Sequence, residues 1–188
     1  MPTIASDSLP LGHTLPSFSL PDVVEGTVVS DQNVCASKAL LISFLCRHCP
    51  YVVHIREALM QLAADYQPRG TIFLGISSND PEQYSDDAPE KLREMAMNCG
   101  FSFPLLFDET QQVARAFTAT CTPDFFLFDS QSKLAYHGRL DDSTPGNGRP
   151  LTGKDLRNAL DAVLAAQPVP GTQLPSMGCG IKWKAKPV

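Results

Sequence analysis

No apolar stretch in this 188-residue sequence approaches the ~20 residues needed to cross a bilayer. The N-terminus, MPTIASDSLPLGHTLPSFSLPD, lacks both the basic segment and the apolar core of a signal peptide. Positive charge is in deficit, with 15 Lys and Arg against 20 Asp and Glu and a net charge of −5, which leaves no basic footprint for nucleic acid. There is no run of like charge and no internal repeat. These absences point to a soluble cytoplasmic protein with neither a membrane nor a nucleic-acid partner. Metal patterns are thin too: there is one Cys-x-x-Cys, no second, and no His-x3-His.

What is present is a regular alternation of two periods. PSFSLPD and TVVS (16–22 and 27–30), around Glu25-Gly26, read as a short β-hairpin arm. LLISFL (40–45) is an apolar run suited to a strand buried on both faces. Val52, Ile55, Leu59, Leu62 and Tyr66 then form one apolar helical stripe, stopped by Pro68 and Gly70. TIFLGIS (71–77) is a second buried strand. Asp87 with Pro89 starts a helix whose inward face is Leu92, Met95, Ala96 and Cys99, ended by Gly100. FPLLFD is a strand, and Asp108 with Gln111 has the pattern of a capping box before a short helix to Phe117. FFLFD and LAYHGRL flank the turn SQSK as a hairpin, and a last helix spans about 152–166. The order implies an α/β fold with a central mixed β-sheet flanked by helices, within a domain of residues 1–166. Residues 167–188, rich in Pro and Gly, read as an extended tail.

Six cysteines occur, at 35, 46, 49, 99, 121 and 179. In a reducing cytosol they do not suggest a structural framework, and a close pair suggests redox or metal chemistry. Cys46 and Cys49 lie where the first buried strand meets the long helix, the carboxyl end of a strand. With Cys46 at the start of that helix, free backbone N–H groups and the helix dipole favour its thiolate. Arg47 and His48 add positive charge, and Cys49, one turn on, is placed to attack a disulfide formed at Cys46. Stabilising the thiolate favours the dithiol, so the couple is expected to be more oxidising than thioredoxin, at about −270 mV. Zinc would need ligands such as His48, His54 or Cys179 brought in by the fold. Copper held by two thiolates and a histidine is a comparable alternative. The chemistry favours a redox pair. Thr122-Pro123, directly before an apolar strand, is a second feature, a turn whose X-Pro bond can be cis.

The strand–CxxC–helix unit at 40–66 and the Thr122-Pro123 loop together resemble the thioredoxin superfamily. CRHCPYV, CTPDFFLFD, GRLDDSTPGN, LTGKDL and PSMGCGIKWK resemble, more narrowly, a bacterial and cyanobacterial branch of peroxiredoxin-like thioredoxin-family proteins. The resemblance implies a thioredoxin-like fold and a thiol–disulfide oxidoreductase without a cofactor. Cys46 would attack and Cys49 resolve, while Arg47, His48, Thr122 and Pro123 would face the substrate. That substrate would be a protein disulfide or a small thiol or peroxide, and a thioredoxin or glutathione system would return the electrons. A thiol peroxidase, with Cys49, Cys121 or Cys179 resolving Cys46, is the alternative within enzymes. A copper or zinc carrier is the alternative outside them. Departures include Leu45 in place of a Trp, no acid in LLISFL, and no Pro-Thr-Cys peroxidase pattern, with Ser43 three residues before Cys46.

Of the remaining residues, Cys99 reads as packing and Cys35 as a loop residue without a partner. Cys121 and Cys179 are possible additional redox thiols, Cys179 by swinging in towards Cys46. Trp183 reads as an apolar anchor for the tail. Asp141, Asp142 and His137 read as solvated, and Asp124 as facing a substrate.

Overall fold

Strand β4 (Ala39–Phe44) is buried at every position, because both faces of the sheet it centres are covered. The structure is a computed structural model and describes residues 3–5, 9–34 and 37–185; Cys35 lies outside them. The preceding elements are β1 (Thr3–Ala5), β2 (Ser19–Pro21), β3 (Val28–Ser30) and a single helical turn, α1 (Asp31–Val34). After β4 come α2 (Pro50–Tyr66), β5 (Thr71–Ser77), α3 (Pro89–Cys99), β6 (Leu105–Phe107) and α4 (Gln112–Ala116). The chain continues with β7 (Cys121–Thr122), β8 (Asp124–Asp129), β9 (Leu134–Gly138), α5 (Lys154–Leu164) and β10 (Met177–Gly180).

The main sheet has the order β6-β5-β4-β8-β9. β5 runs parallel to β4 and to β6, while β8 is antiparallel to β4 and to β9, so the sheet is mixed as the sequence implies. Alternation along β4 sorts its side chains between two cores. Leu41 joins the stripe Val52, Ile55, Leu59 and Leu62 of α2 and Leu156, Ala159 and Leu160 of α5. Leu40, Ile42 and Phe44 face the opposite way, against Val113 and Ala114 of α4, Phe117, and Phe18 and Leu20 of the arm. Phe117 there meets Phe44, Phe126 and Phe128 edge-on at centroid distances of 5.4 to 6.0 Å, a favoured aromatic geometry. α3 covers the edge strand β6 through Leu92, Met95 and Ala96.

Two local expectations are corrected. Asp87 does not cap α3, whose N-cap is Ala88 with no side-chain bond; the Asp87 carboxylate turns inward. Asp108 accepts from the N–H groups of Val113 and Ala114, but Gln111 does not complete a capping box. Its side chain instead donates to the carbonyls of Ser78 and Lys182 and accepts from the Lys184 N–H. The tail is extended and paired. β10 pairs antiparallel with β1 on one side and with β7 on the other, forming a second small sheet. Ile181 is buried in the core, and Trp183 packs beside it with the Arg115 guanidinium 4.3 Å from its ring.

Candidate functional site

Cys46 follows the central strand directly, after Leu45 extends the ladder by donating to the Ile76 carbonyl at 2.8 Å. The chain then bends through Arg47 and His48, and α2 begins only at Pro50. Cys49 is the N-cap residue, with φ −69° and ψ 122°, and Pro50 takes the first-turn position where its missing N–H costs nothing. The helix terminus therefore faces Cys49. This corrects the expectation that Cys46 starts the helix.

Opposite the pair, the Thr122–Pro123 peptide is cis. Thr122 touches both sulfurs: its hydroxyl Oγ1 lies 3.1 Å from Cys46 Sγ, and its carbonyl oxygen lies 3.2 Å from Cys49 Sγ. On the third side stands Cys179, in register with Thr122 across the β10–β7 pair. It shares the buried cluster of Cys46 and Cys49, and its thiol and backbone N–H favour the Cys49 anion. Cys46 and Cys49 are 1% and 0% exposed, so the strand end, the cis-proline loop and the tail close over them.

On the fourth side is Asp87, fully buried. Its Oδ1 accepts from the Arg47 N–H at 2.7 Å and its Oδ2 from Asn79 Nδ2 at 2.7 Å. His48 Nδ1 also lies 2.7 Å from Oδ2, but off the line of an aligned hydrogen bond, and Nε2 has no hydrogen-bond partner among the described residues. The His48 ring stacks on Tyr84 at 5.5 Å, with Lys182 Nζ 5.5 Å from the Tyr84 ring on the tail side. Arg47 points away, to Asp86 at 3.1 Å and Glu94 at 3.7 Å, and does not reach the sulfurs.

These contacts polarise the pair. Donating its proton to Cys49, together with burial and the nearby Asp87 carboxylate, holds the Cys46 thiol well above the ordinary value. Cys49 is pushed down to about 5, first by the proton it accepts from Cys46, then by the Cys179 thiol and the N–H groups of Val52 and Cys179. Only burial opposes this substantially. In the dithiol these contacts favour the anion at Cys49, at the helix N-terminus, over Cys46. Cys179 is raised to about 11, mainly by burial, and Cys121 is raised further by burial and by Asp124.

A family model, the AhpC/TSA family, matches residues 11–137. The chain belongs to that family. Among solved structures, an uncharacterized conserved protein from Geobacillus kaustophilus is 49% identical, with a TM-score of 0.97 over 100% of this chain and 99% of that one. A thiol:disulfide interchange protein of the thioredoxin family from Chlorobium tepidum TLS is 21% identical, with a TM-score of 0.62 over 85% and 99% of the two chains. The peroxidoxin BcpB of Mycobacterium tuberculosis is 22% identical, with a TM-score of 0.61 over 85% and 98%. No curated protein matches the sequence. The fold is thioredoxin-like, and the family assigns the protein a redox function, that of an oxidoreductase. Among the described residues no helix is long and apolar enough to cross a membrane.

In this AhpC/TSA protein the fold brings Cys46, Cys49, His48, Thr122 and Cys179 to one point, with Pro123 behind Thr122. The edge formed by Thr122 is occupied by the protein's own β10. Cys121 lies alongside, buried, with its thiol 3.9 Å from the Pro123 carbonyl. Cys99 packs at the margin of α3. Three readings are corrected. Asp124 does not face a substrate: it is fully buried, with its Oδ1 3.1 Å from His137 Nε2. His137 is buried and stacked on Phe126. Asp141 is buried as well, its carboxylate accepting from the N–H groups of Ser143, Thr152 and Gly153. The residue that sequence reasoning missed is Asp87, because the Asp-Ala-Pro pattern has an ordinary reading as a helix start.

A cavity of about 250 Å³ lies beside Pro123, lined by Tyr51, His54, Arg139, Asn147 and Met177 among others, but by none of the cysteines. The Cys46 sulfur, a His48 ring nitrogen and an Asp87 oxygen also fall within 4.8 Å of one another. Both Asp87 oxygens already accept hydrogen bonds, so the carboxylate is built into the loop first and is only secondarily available to a cation.

Proposed function

We propose that the protein is a thiol–disulfide oxidoreductase whose couple is Cys46–Cys49. The observation that carries this reading is that Thr122 contacts both sulfurs, its hydroxyl at Cys46 and its carbonyl at Cys49. The pair thereby has two arrangements for one proton. With the proton on Cys46, the charge rests on Cys49 under the helix N–H groups. With the proton on Cys49, that thiol donates to the Thr122 carbonyl, and the Thr122 hydroxyl donates to a Cys46 thiolate.

Cys46, next to the bend at Arg47 and His48, attacks a substrate disulfide in the second arrangement. One substrate sulfur becomes bonded to Cys46, and the other leaves as a thiolate that takes up a proton. Cys49, the position that favours the anion, then attacks the Cys46 sulfur. The Cys46–Cys49 disulfide forms and the second substrate thiolate leaves. The substrate gains two electrons, and a thiol donor such as a thioredoxin or glutathione system restores the dithiol. Family membership supports peroxide as a second substrate, with Cys46 oxidised to a sulfenic acid and Cys49 resolving it. The Asp87 carboxylate opposes a standing Cys46 thiolate.

The test is turnover of a disulfide substrate by the wild type, Cys46→Ser and Cys49→Ser. Cys46→Ser is expected to abolish turnover, and Cys49→Ser to accumulate mixed disulfides at Cys46. Undiminished turnover in Cys46→Ser would refute the reading. Rapid sulfenic acid formation with peroxide, without disulfide exchange, would replace it by the peroxidase.

A further inference from the structure

The tail segment lies across the site in a way the two-cysteine mechanism does not use. β10 is held on both flanks of Cys179. On one side, Gly178 runs so close to Thr122 that a Cβ added there would stand 1.9 Å from its carbonyl oxygen. On the other, Ile181 donates to the Thr120 carbonyl at 2.9 Å, and Lys182 exchanges bonds with Asn79 and Asp80. Gln111 clamps Lys182 and Lys184 from the start of α4. Asn79 also holds Asp87, so one side chain fixes both the tail and the buried acid. The result places a third thiol beside the Cys49 sulfur without any swing of the tail. Cys49 then has Cys46 on one side and Cys179 on the other.

Resting on the redox reading above, we propose that Cys179 is a third redox thiol that exchanges with the Cys46–Cys49 disulfide. The Cys179 thiolate attacks Cys49 Sγ; the Cys49–Cys179 bond forms, the Cys46–Cys49 bond breaks, and Cys46 leaves as a thiolate. The proton lost by Cys179 balances the one taken by Cys46, and no electrons enter or leave the protein. The exchange frees the Cys46 thiol, and the new disulfide pins β10 to the start of α2. Formation of the first disulfide prepares the step. It removes the Cys49 anion, which in the dithiol helps keep the Cys179 proton in place, while Lys182 continues to favour the Cys179 thiolate. Cys121 is not equivalent: its thiol is directed to the Pro123 carbonyl and lies beside the buried Asp124.

The wild-type protein itself provides the test. It is oxidised by one equivalent of oxidised glutathione or diamide, alkylated under native and then denaturing conditions, and its disulfides are mapped by mass spectrometry. The proposal expects a population with Cys49 bonded to Cys179 and Cys46 alkylated, and loss of that alkylated Cys46 in Cys179→Ser. In Cys46→Ser it expects a Cys49–Cys179 disulfide to form directly. A single Cys46–Cys49 bond with Cys179 always alkylated, together with no disulfide in Cys46→Ser, would overturn the proposal and leave the two-cysteine reading intact. A Cys46–Cys179 bond would overturn it in favour of a tail that moves. Absence of any bond between Cys46 and Cys49, in Cys179→Ser as in the wild type, would instead remove the functional reading beneath it.

Discussion

Gly178 and Thr122 meet at a distance that no other residue type tolerates: a Cβ on Gly178 would overlap the Thr122 carbonyl oxygen at 1.9 Å. The obstacle is backbone, and it cannot rotate aside as a side chain would. Gly178→Ala must therefore push β10 away from β7 or displace the cis-proline loop. Overpacking of this kind costs about 1–3 kcal/mol. The expected outcome is a lower denaturation midpoint and a Cys179 that becomes readily alkylated in the native state. A variant as stable as the wild type, with Cys179 still protected, would show that the strand does not pack against Thr122.

Asp87 is the acid of the site, supplied by a loop about 40 residues from the cysteines. It destabilises the Cys46 anion and receives the Arg47 N–H and the Asn79 amide. Asp87→Asn removes the charge but leaves one of the two acceptor roles unfilled. Cys46 is expected to titrate lower and to alkylate several-fold faster at neutral pH, with a stability loss of about 1–3 kcal/mol from the unpaired donor. Alkylation rates of Cys46, read by peptide mass spectrometry, check this. An unchanged or slower rate would mean that the carboxylate does not act on the sulfur.

The polarisation of the couple sets a pH signature. Cys49, lowered from 9.0 to about 5, is anionic in the native dithiol over a range in which the unfolded chain keeps its proton. The unfolded state then binds more protons, so this group's contribution is complete above pH 9 and is lost as pH falls towards 5. Cys46, raised, acts in the opposite sense: its contribution is present below pH 9 and is lost as pH rises towards its native value. Thiolate absorbance of the reduced protein is expected to appear near pH 5 and to vanish in Cys49→Ser. The stability difference between wild type and that variant should widen from pH 5 to 9. A first thiolate appearing only near pH 9 would contradict the geometry.

The elements were legible because each carries its own period: the stripe of α2, the buried runs of β4 and β5, and the β8–β9 hairpin all stand where the pattern puts them. The cysteine pair and the Thr122-Pro123 loop were legible as local motifs. What escaped depends on contacts between distant segments. Asp87 and Gln111 have satisfactory local readings as helix-start residues, and only the folded chain shows one turned to His48 and the other to the tail. Sequence patterning assigns His137 and Asp141 to solvent and turns Asp124 to a substrate, yet all three are buried because each finds a partner that periodicity does not encode. The four-residue strand in the Pro- and Gly-rich tail follows the same logic, since its pairing with β7 depends on a close approach that only Gly178 permits.

The last consequence is the potential of the couple. Its expected cause in the sequence was the Arg47-His48 linker, but Arg47 is engaged by Asp86 and Glu94, and His48 by Asp87. The structure supplies another cause: the helix N-terminus and the N–H groups of Val52 and Cys179 stabilise the Cys49 anion, which exists only in the dithiol. Stabilising the reduced form raises the potential, so the couple should lie above thioredoxin's value of about −270 mV, with about 30 mV corresponding to ~1.4 kcal/mol. The proton count sharpens the expectation. With one thiolate in the dithiol, reduction takes up two electrons and one proton, and the potential should fall by about 30 mV per pH unit above pH 5. Below pH 5, where both sulfurs are protonated, the slope should steepen to about 59 mV per unit. A glutathione titration of Cys179→Ser, which isolates the pair, measures both quantities. A potential at or below thioredoxin's, or the steeper slope persisting through pH 7, would show that the Cys49 anion does not form in the reduced protein.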